Sequence, residues 1–311
     1  NKLKMKFSIT IPAYKQKYLY EAIESCLVQS YKDFELIVVD DASPEDLKSI
    51  VDMFSDSRIH YFRNKKNCGA INVVDNWNIC IGYASGDYVI CMGDDDKLLP
   101  NCLEEYAKLI SKYKGVGLLH GWTEIINEKS EIIKLTTHRC EFESSLSLMW
   151  HRSHAYELQF IGDFCFERDW LIQNGGFFKL PYAWGSDDIS SFIAASKTGV
   201  ANTQIPVFQY RVNSQTISNT GNADCKIKAI ALEYNWKNEF LIHKSNSDND
   251  ELYRKELLDE LAGSYQKKCG LTIASDLKKK SIFRLFYWIS VRKKFRLEIK
   301  TLFYAFIQSL K

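Results

Sequence analysis

The sequence predicts an α/β protein: a doubly wound, mostly parallel sheet followed by a helical C-terminal extension. Three observations carry this. β-rich apolar runs alternate with helically spaced apolar residues through the first ~115 residues, the signature of strands alternating with helices. Acidic clusters stand where two of those strands end. Beyond residue 225 the pattern turns helical and highly charged, and it closes in a basic, aromatic stretch.

Taken in order, Phe7 to Pro12 reads FSITIP, a short β-rich run stopped by proline. Leu19, Ala22, Ile23, Cys26 and Leu27 have helical spacing within 19–30. Phe34 to Val39 reads FELIVV and is closed by Asp40-Asp41-Ala-Ser-Pro. A continuous apolar run ended by turn formers is a strand buried on both faces. A helix is expected over 45–54, a strand over 59–63 and a helix over 71–84. A strand over 88–92 then ends at Gly93-Asp94-Asp95-Asp96, and a helix covers 103–113. Strands are expected over 117–127 and 131–135. The segment 136–185, rich in aromatics and histidine, has no clean period, and no element is assigned there. A helix over 189–197, an extended run over 200–211 and a polar loop over 213–224 complete the α/β part. Residues 5–224 are therefore expected to form one domain, with halves meeting near 115, and 225–311 a helical extension.

Composition narrows the class. Hydrophobic residues are 46% and charged residues 26%, which is ordinary globular composition and excludes a mainly disordered chain. With 15 Gly and 5 Pro the chain is neither collagen-like nor linker-dominated. The net charge of +2 gives no global field for nucleic acid, and no nucleic-acid-binding module is found. The nine cysteines form no C-x-x-C pair and several sit in apolar runs, so buried free thiols in a reducing cytoplasm are expected. No signal peptide is expected, and no run approaches the ~20 apolar residues of a membrane span.

The acidic clusters are the candidates for chemistry. Asp40-Asp41 follows FELIVV, and Asp94-Asp95-Asp96 follows YVICMG. Ligands of doubly wound sheets bind outside the strand carboxyl ends. Adjacent carboxylates there repel one another unless a cation screens them. Hard oxygen donors suit Mg²⁺ or Mn²⁺ shared with a diphosphate. The bland alternative is a solvated turn that caps the next helix. Asp187-Asp188, in WGSDD, opens a predicted helix. Either acid suits a first turn electrostatically, and either could take a proton from an attacking hydroxyl.

SITIPAYKQKYLYEAIESCLVQSYKDFELIVVDDAS and NCGAINVVDNWNICIGYASGDYVICMGDDDKLLP together resemble the opening of family 2 glycosyltransferases, which have the GT-A fold. The resemblance is to the branch with Asn-x-Asn in the third helix, here Asn76-Trp77-Asn78. FCFERDWLIQNGGF, WGSDDISSF and QYRVNSQTIS continue it more loosely. The strong likeness spans about 6–115 and the weaker one reaches about 220.

The resemblance implies a nucleotide-binding half over 5–115 and an acceptor half over 116–224. Pro12, Ala13 and Tyr14 would line the base, and Asp41 would bond base or ribose. Asn76 would belong to the nucleotide site. Asp94 and Asp95 match carboxylates that contact ribose and metal, and Asp96 completes a metal-binding group. Many members carry an acid where Gly93 stands here. Asp187 or Asp188 would be the catalytic base, with a lean to Asp187. Arg211 matches an arginine of a loop that closes over the diphosphate, while the usual histidine two positions on is Asn213. The implied reaction is metal-dependent, inverting transfer from a nucleotide sugar, UDP foremost, with Mn²⁺ or Mg²⁺. A divalent ion would stabilise the leaving diphosphate. The acceptor would be a hydroxyl of a glycan or lipid-linked glycan, in surface polysaccharide synthesis.

His120, His138, His151 and His154 lack the helical ligand spacing of a metalloprotease and read as core or surface residues. Trp122, Trp150, Trp170 and Trp184 suit either an acceptor face or core packing. From Ser281 to Lys311, Arg284, Arg292, Lys293, Lys294, Arg296, Lys300 and Lys311 stand against one acid, Glu298, among many aromatics. Such a stretch fits the inner face of a membrane or a packed helical appendage. Two rival readings stay open: a nucleotidyltransferase, which would usually show a Gly-rich phosphate loop near the first strand, and a catalytically decayed sugar-nucleotide-binding scaffold.

Overall fold

The computed structural model describes residues 5–154, 157–213, 221–245 and 247–311. The described chain forms two compact units. One runs up to Lys179 and resumes from Ser186 through the last strand; the other joins Leu180–Gly185 to the C-terminal helices.

The first unit is built on a ten-stranded sheet. Its opening strands are β1 (Phe7–Ala13), β2 (Phe34–Asp40), β3 (Ile59–Arg63) and β4 (Tyr88–Cys91). They lie in the order β3-β2-β1-β4, all parallel, as the continuous apolar runs predict. Every residue of β2 is buried, because helices cover both faces. Those helices are α1 (Leu19–Leu27), α2 (Leu47–Val51) and α3 (Val73–Tyr83). The second helix is shorter than its sequence pattern suggests, because Asp46 caps it by accepting from the Ser49 amide.

After β5 (Lys97–Leu98) and α4 (Cys102–Lys112) come β6 (Leu118–Ile126), β7 (Ile132–Leu135) and β8 (Phe142–Glu143). Then follow α5 (Ser145–Ser153), β9 (Phe164–Glu167), α6 (Arg168–Gln173), α7 (Ser186–Ala195) and β10 (Val200–Arg211). The sheet becomes mixed here. β9 inserts antiparallel between β4 and β6, while β6 and β10 run parallel. Short β5 crosses the end of β10 antiparallel, which pins the acidic loop after β4 against Arg211. The polar loop expected over 213–224 lies largely outside the described residues.

The second unit holds α8 (Ala223–Phe240), α9 (Asp248–Lys279), α10 (Arg284–Val291) and α11 (Ile299–Ser309). Its core gathers Ile227, Ile230, Cys269, Ile273, Leu277, Trp288, Phe295, Leu302 and Ala305. Buried Trp288 satisfies its indole N–H on the Asp276 carboxylate at 3.0 Å. All nine cysteines are free thiols. Among the described residues no helix is long and apolar enough to cross a membrane.

Candidate active site

The carboxyl ends of β1, β2 and β4 bring the first candidates together. Register places Ala13 beside Asp40. The Asp41 amide then donates to the Ala13 carbonyl (2.9 Å) and the Ser43 hydroxyl to the Tyr14 carbonyl (2.6 Å). The amides of Tyr14 and Lys15 both donate to one Asp94 oxygen at 2.7 Å. The turn after β1 is thus sewn to the turns after β2 and β4. Tyr14 leaves its ring 43% exposed on this rim, while Ala13 is buried beneath it.

Asp40 and Asp41 have different tasks. Asp40 is fully buried, accepts from Tyr61 Oη (2.7 Å) and the Ser43 amide (2.8 Å), and pairs with Arg63. It fixes the strand ends. Asp41 is buried one residue beyond β2 and held by Asn64 Nδ2 (2.8 Å) and the Cys68 amide (3.0 Å), and Asn67 Nδ2 clamps its carbonyl (2.7 Å). Asn76 is buried and accepts from the same Asn64 amide at 2.9 Å. It therefore reaches Asp41 through Asn64. Asn78 does separate work: its side chain brackets the Phe177 backbone at 2.8 and 3.1 Å. Gly176 there has φ +81°, and a Cβ on it would stand 2.4 Å from Asn78 Oδ1.

The acidic loop is crowded with negative charge. Asp96 is buried and accepts from the Arg211 amide at 2.9 Å; Asp95 accepts from Asn213 Nδ2 at 2.6 Å. Burial, and then the charge of Asp95, pushes the Asp94 carboxyl up to about 6. Asp95 and Asp96 are displaced upward too, burial first in both. A Cβ on Gly93 would lie 2.9 Å from Asp96 Oδ2 and 3.0 Å from Asp95 Oδ1, so only glycine leaves these carboxylates where they are. Hard oxygen donors under mutual repulsion fit a divalent ion of the Mg²⁺ or Mn²⁺ kind.

Arg211 differs from its expected place. It is the last residue of β10, not part of a loop, and is 1% exposed. Its guanidinium donates to the Asp95 carbonyl (2.7 Å), Ser130 Oγ (2.9 Å) and Glu21 (2.9 Å), with longer bonds to the Asn127 and Glu128 carbonyls, and stacks over Tyr18. Its donors are committed to protein groups. It ties the acidic loop to α1 and to the turn between β6 and β7.

Asp187 and Asp188 share the first turn of α7 and differ in surroundings. Asp188 is 4% exposed and accepts from Arg152 Nε and Gln159 Nε2, both at 2.8 Å. Asp187 is half-buried, and burial together with the Asp188 charge raises its carboxyl to about 7. Tyr210 stacks on Phe160 at 3.7 Å, and burial first, then the charges of Asp96, Asp95 and Asp187, push its hydroxyl well above the usual range. Of the flagged aromatics, Trp122 and Trp170 donate to the Thr136 and Ile193 carbonyls, and Trp184 lies under Lys226. His120 is buried against Asp163 at 3.4 Å, and burial pushes its ring below the usual range.

Asn64, Asn67 and Asn213 belong to the site although sequence reasoning assigns them no part in it. Only Asn213 carries a signal, its position two residues beyond Arg211.

The sequence profile of glycosyl transferase family 2 matches residues 8–172, more than half of the 311. The chain belongs to glycosyl transferase family 2. The matched span holds Asp41, Asn76 and the acidic loop, and stops short of Asp187, Asp188 and Arg211. Among family members, the chain is 34% identical over 128 residues to the UDP-Glc:alpha-D-GlcNAc-diphosphoundecaprenol beta-1,3-glucosyltransferase WfgD of Escherichia coli, covering 41% of this chain and 49% of that protein. It is 40% identical over 101 residues to a GalNAc(5)-diNAcBac-PP-undecaprenol beta-1,3-glucosyltransferase of Campylobacter jejuni, covering 32% of each. The match spans less than half the length of these relatives. The fold matches TarS of S. aureus in complex with UDP-GlcNAc, with TM-score 0.66 and 14% identity, over 98% of this chain and 91% of that one. The fold is accordingly GT-A.

Proposed function

We propose that this chain is an inverting glycosyltransferase that moves a sugar from a nucleotide-sugar donor to a hydroxyl of a lipid-linked glycan. One observation carries the reading: the family profile covers the turn after β2 and the acidic loop after β4, and hydrogen bonds from the Tyr14 and Lys15 amides to Asp94 and from Ser43 to the Tyr14 carbonyl join both to the turn after β1 at the carboxyl ends of the parallel strands.

The residues divide the work. Pro12, Ala13, Tyr14 and Asp41 receive the base and ribose, with Asn76 and Asn64 holding Asp41 in place. Asp94 steadies the β1 turn beside the ribose. Asp95, with Asp94 and Asp96 around it, would hold Mn²⁺ or Mg²⁺. When bound, that ion neutralises charge on the departing diphosphate. Asp187 is the base, and Asp188, fixed by Arg152 and Gln159, sets its orientation and charge. The acceptor oxygen attacks the anomeric carbon as the bond to the diphosphate oxygen breaks. The hydroxyl proton passes to Asp187, the nucleoside diphosphate leaves, and one displacement inverts the anomeric centre. UDP is the expected nucleotide and the inner face of the cell membrane the expected place. The named relatives act on undecaprenol-linked glycans, which supports the acceptor class.

The test is a panel of UDP-, TDP- and GDP-sugars with an undecaprenyl-diphosphate-linked sugar and Mn²⁺. The readout is nucleoside diphosphate release and the anomeric coupling in the product's proton NMR spectrum. Release with an inverted product is expected. Binding of a nucleotide without transfer to any acceptor would refute the enzyme reading in favour of a scaffold.

A further inference from the structure

The last two helices are apolar on two sides. Their inner sides are satisfied by the second unit's own core, through Trp288, Leu302 and Ala305. A surface helix of a globular protein turns polar residues to water on its other side. Here Phe283 at 74%, Phe286 at 71% and Ile289 at 46% exposure precede and continue along α10 at helical spacing. Ile299 at 69% and Phe303 at 65% do the same on α11. Exposed apolar stripes of this kind mark a docking surface.

The charge around the stripes selects the occupant. Lys293, Lys294 and Arg296, in the segment joining the two helices, are exposed. From Lys278 to Lys311 the only acid is Glu298. Beside the second stripe, a cavity of ≈ 230 Å³ is lined by Gln266, Lys267, Lys300, Thr301 and Tyr304. A second protein copy would meet this basic surface with its own, at a cost in like-charge repulsion. An anionic lipid leaflet meets it with complementary charge. Neither helix, at 8 and 11 residues, approaches the ~20 residues of a span, so a bilayer would meet them only in its interface plane.

We infer that α10 and α11 form a membrane-docking surface: Phe283, Phe286 and Phe303 enter the acyl boundary of an anionic bilayer while Lys293, Lys294 and Arg296 face its headgroups. This goes beyond the transferase reading and does not require it, because docking needs neither nucleotide nor acceptor.

The experiment is flotation of the full chain with vesicles of phosphatidylcholine alone and with about 30% phosphatidylglycerol. Binding to the anionic vesicles only, weakened by 0.5 M salt at about threefold or more, is expected. The variant F283S/F286S/F303S, whose melting temperature is checked against wild type, is expected to lose about tenfold or more in partitioning. K293E/K294E is expected to lose a similar factor on anionic vesicles. Absence of binding to either vesicle would overturn the inference. So would wild-type partitioning of the triple Ser variant, or equal binding to neutral vesicles. A dimer by light scattering that the triple variant dissolves, without vesicle binding, would assign the face to a second copy instead. Failure of transfer with intact vesicle binding would refute the enzyme reading alone.

Discussion

Asp187→Asn should separate chemistry from stability with opposite signs. The Asp187 carboxyl sits at about 7, raised by burial and by Asp188. Its ionised fraction is about one-tenth at pH 6, one-half at pH 7 and nine-tenths at pH 8, so the rate of transfer should climb about tenfold across that range. Removing the base should lower kcat by ~10²–10⁴ and flatten this profile. Stability moves the other way. The folded value lies above the ordinary 3.8, so the folded state binds a proton that the unfolded chain has lost. That contribution is complete below the unfolded value and disappears as pH rises through about 7. The displacement corresponds to at most ~4 kcal/mol of cost in the ionised form; with water reaching the half-buried carboxyl, ~1–2 kcal/mol is expected. A neutral amide in place of the carboxylate carries no such cost, so the variant should melt roughly 1–3 °C higher at pH 8 and unchanged below pH 4. Nucleotide-release kinetics and thermal melts over pH 4–8 read both effects. A variant within threefold of wild-type rate, or one that melts lower at pH 8, would refute the assignment of Asp187 as a strained, proton-accepting acid.

Three further predictions concern the acidic loop. Asp95→Ala is expected to abolish the Mn²⁺-dependent part of UDP stabilisation, which at a hundredfold excess over Kd should be ~3 kcal/mol in the wild type; an unchanged shift in calorimetry would move the ion elsewhere. Gly93→Ala puts a methyl 2.9–3.0 Å from the Asp96 and Asp95 carboxylate oxygens, so KM for the donor should rise about tenfold with little loss of melting temperature; unchanged KM would show the loop to be pliable. Arg211→Ala removes a buried guanidinium that donates to Glu21 and the Asp95 carbonyl, and urea denaturation should register a loss of ~1–3 kcal/mol. A purely kinetic defect with wild-type stability would return Arg211 to a diphosphate-contacting role.

The parallel half of the sheet is legible in the sequence because its physics is local. FELIVV can only be a strand covered on both faces, and the turn formers after it mark the end where a ligand site forms. The middle of the chain is opaque for the opposite reason. β5 and β8 are two residues long, and β9 is four residues that hold position only by pairing with β4 and β6. No periodicity develops over such lengths, and their partners lie tens of residues away. The helix α7 starts three residues before its apolar pattern does, because its first turn carries Ser186, Asp187 and Asp188. These polar residues break an apolar count while suiting a helix N-terminus.

The site shows a different limit. Types and positions of the acids can be read from order along the chain, but division of labour within a pair cannot. Asp40 and Asp41 are neighbours in sequence, yet the strand end sends the first to Tyr61 and Arg63 and the second to Asn64 and the Cys68 amide. Asp187 and Asp188 divide in the same way, since a helix rotates adjacent side chains by about 100° and only one can meet Arg152 and Gln159. Arg211 extends the argument. A cation expected to meet phosphate spends its donors on Asp95, Ser130 and Glu21. Arg211 therefore acts on the loop from within the protein, tying the Asp95 carbonyl to α1 and to the turn between β6 and β7.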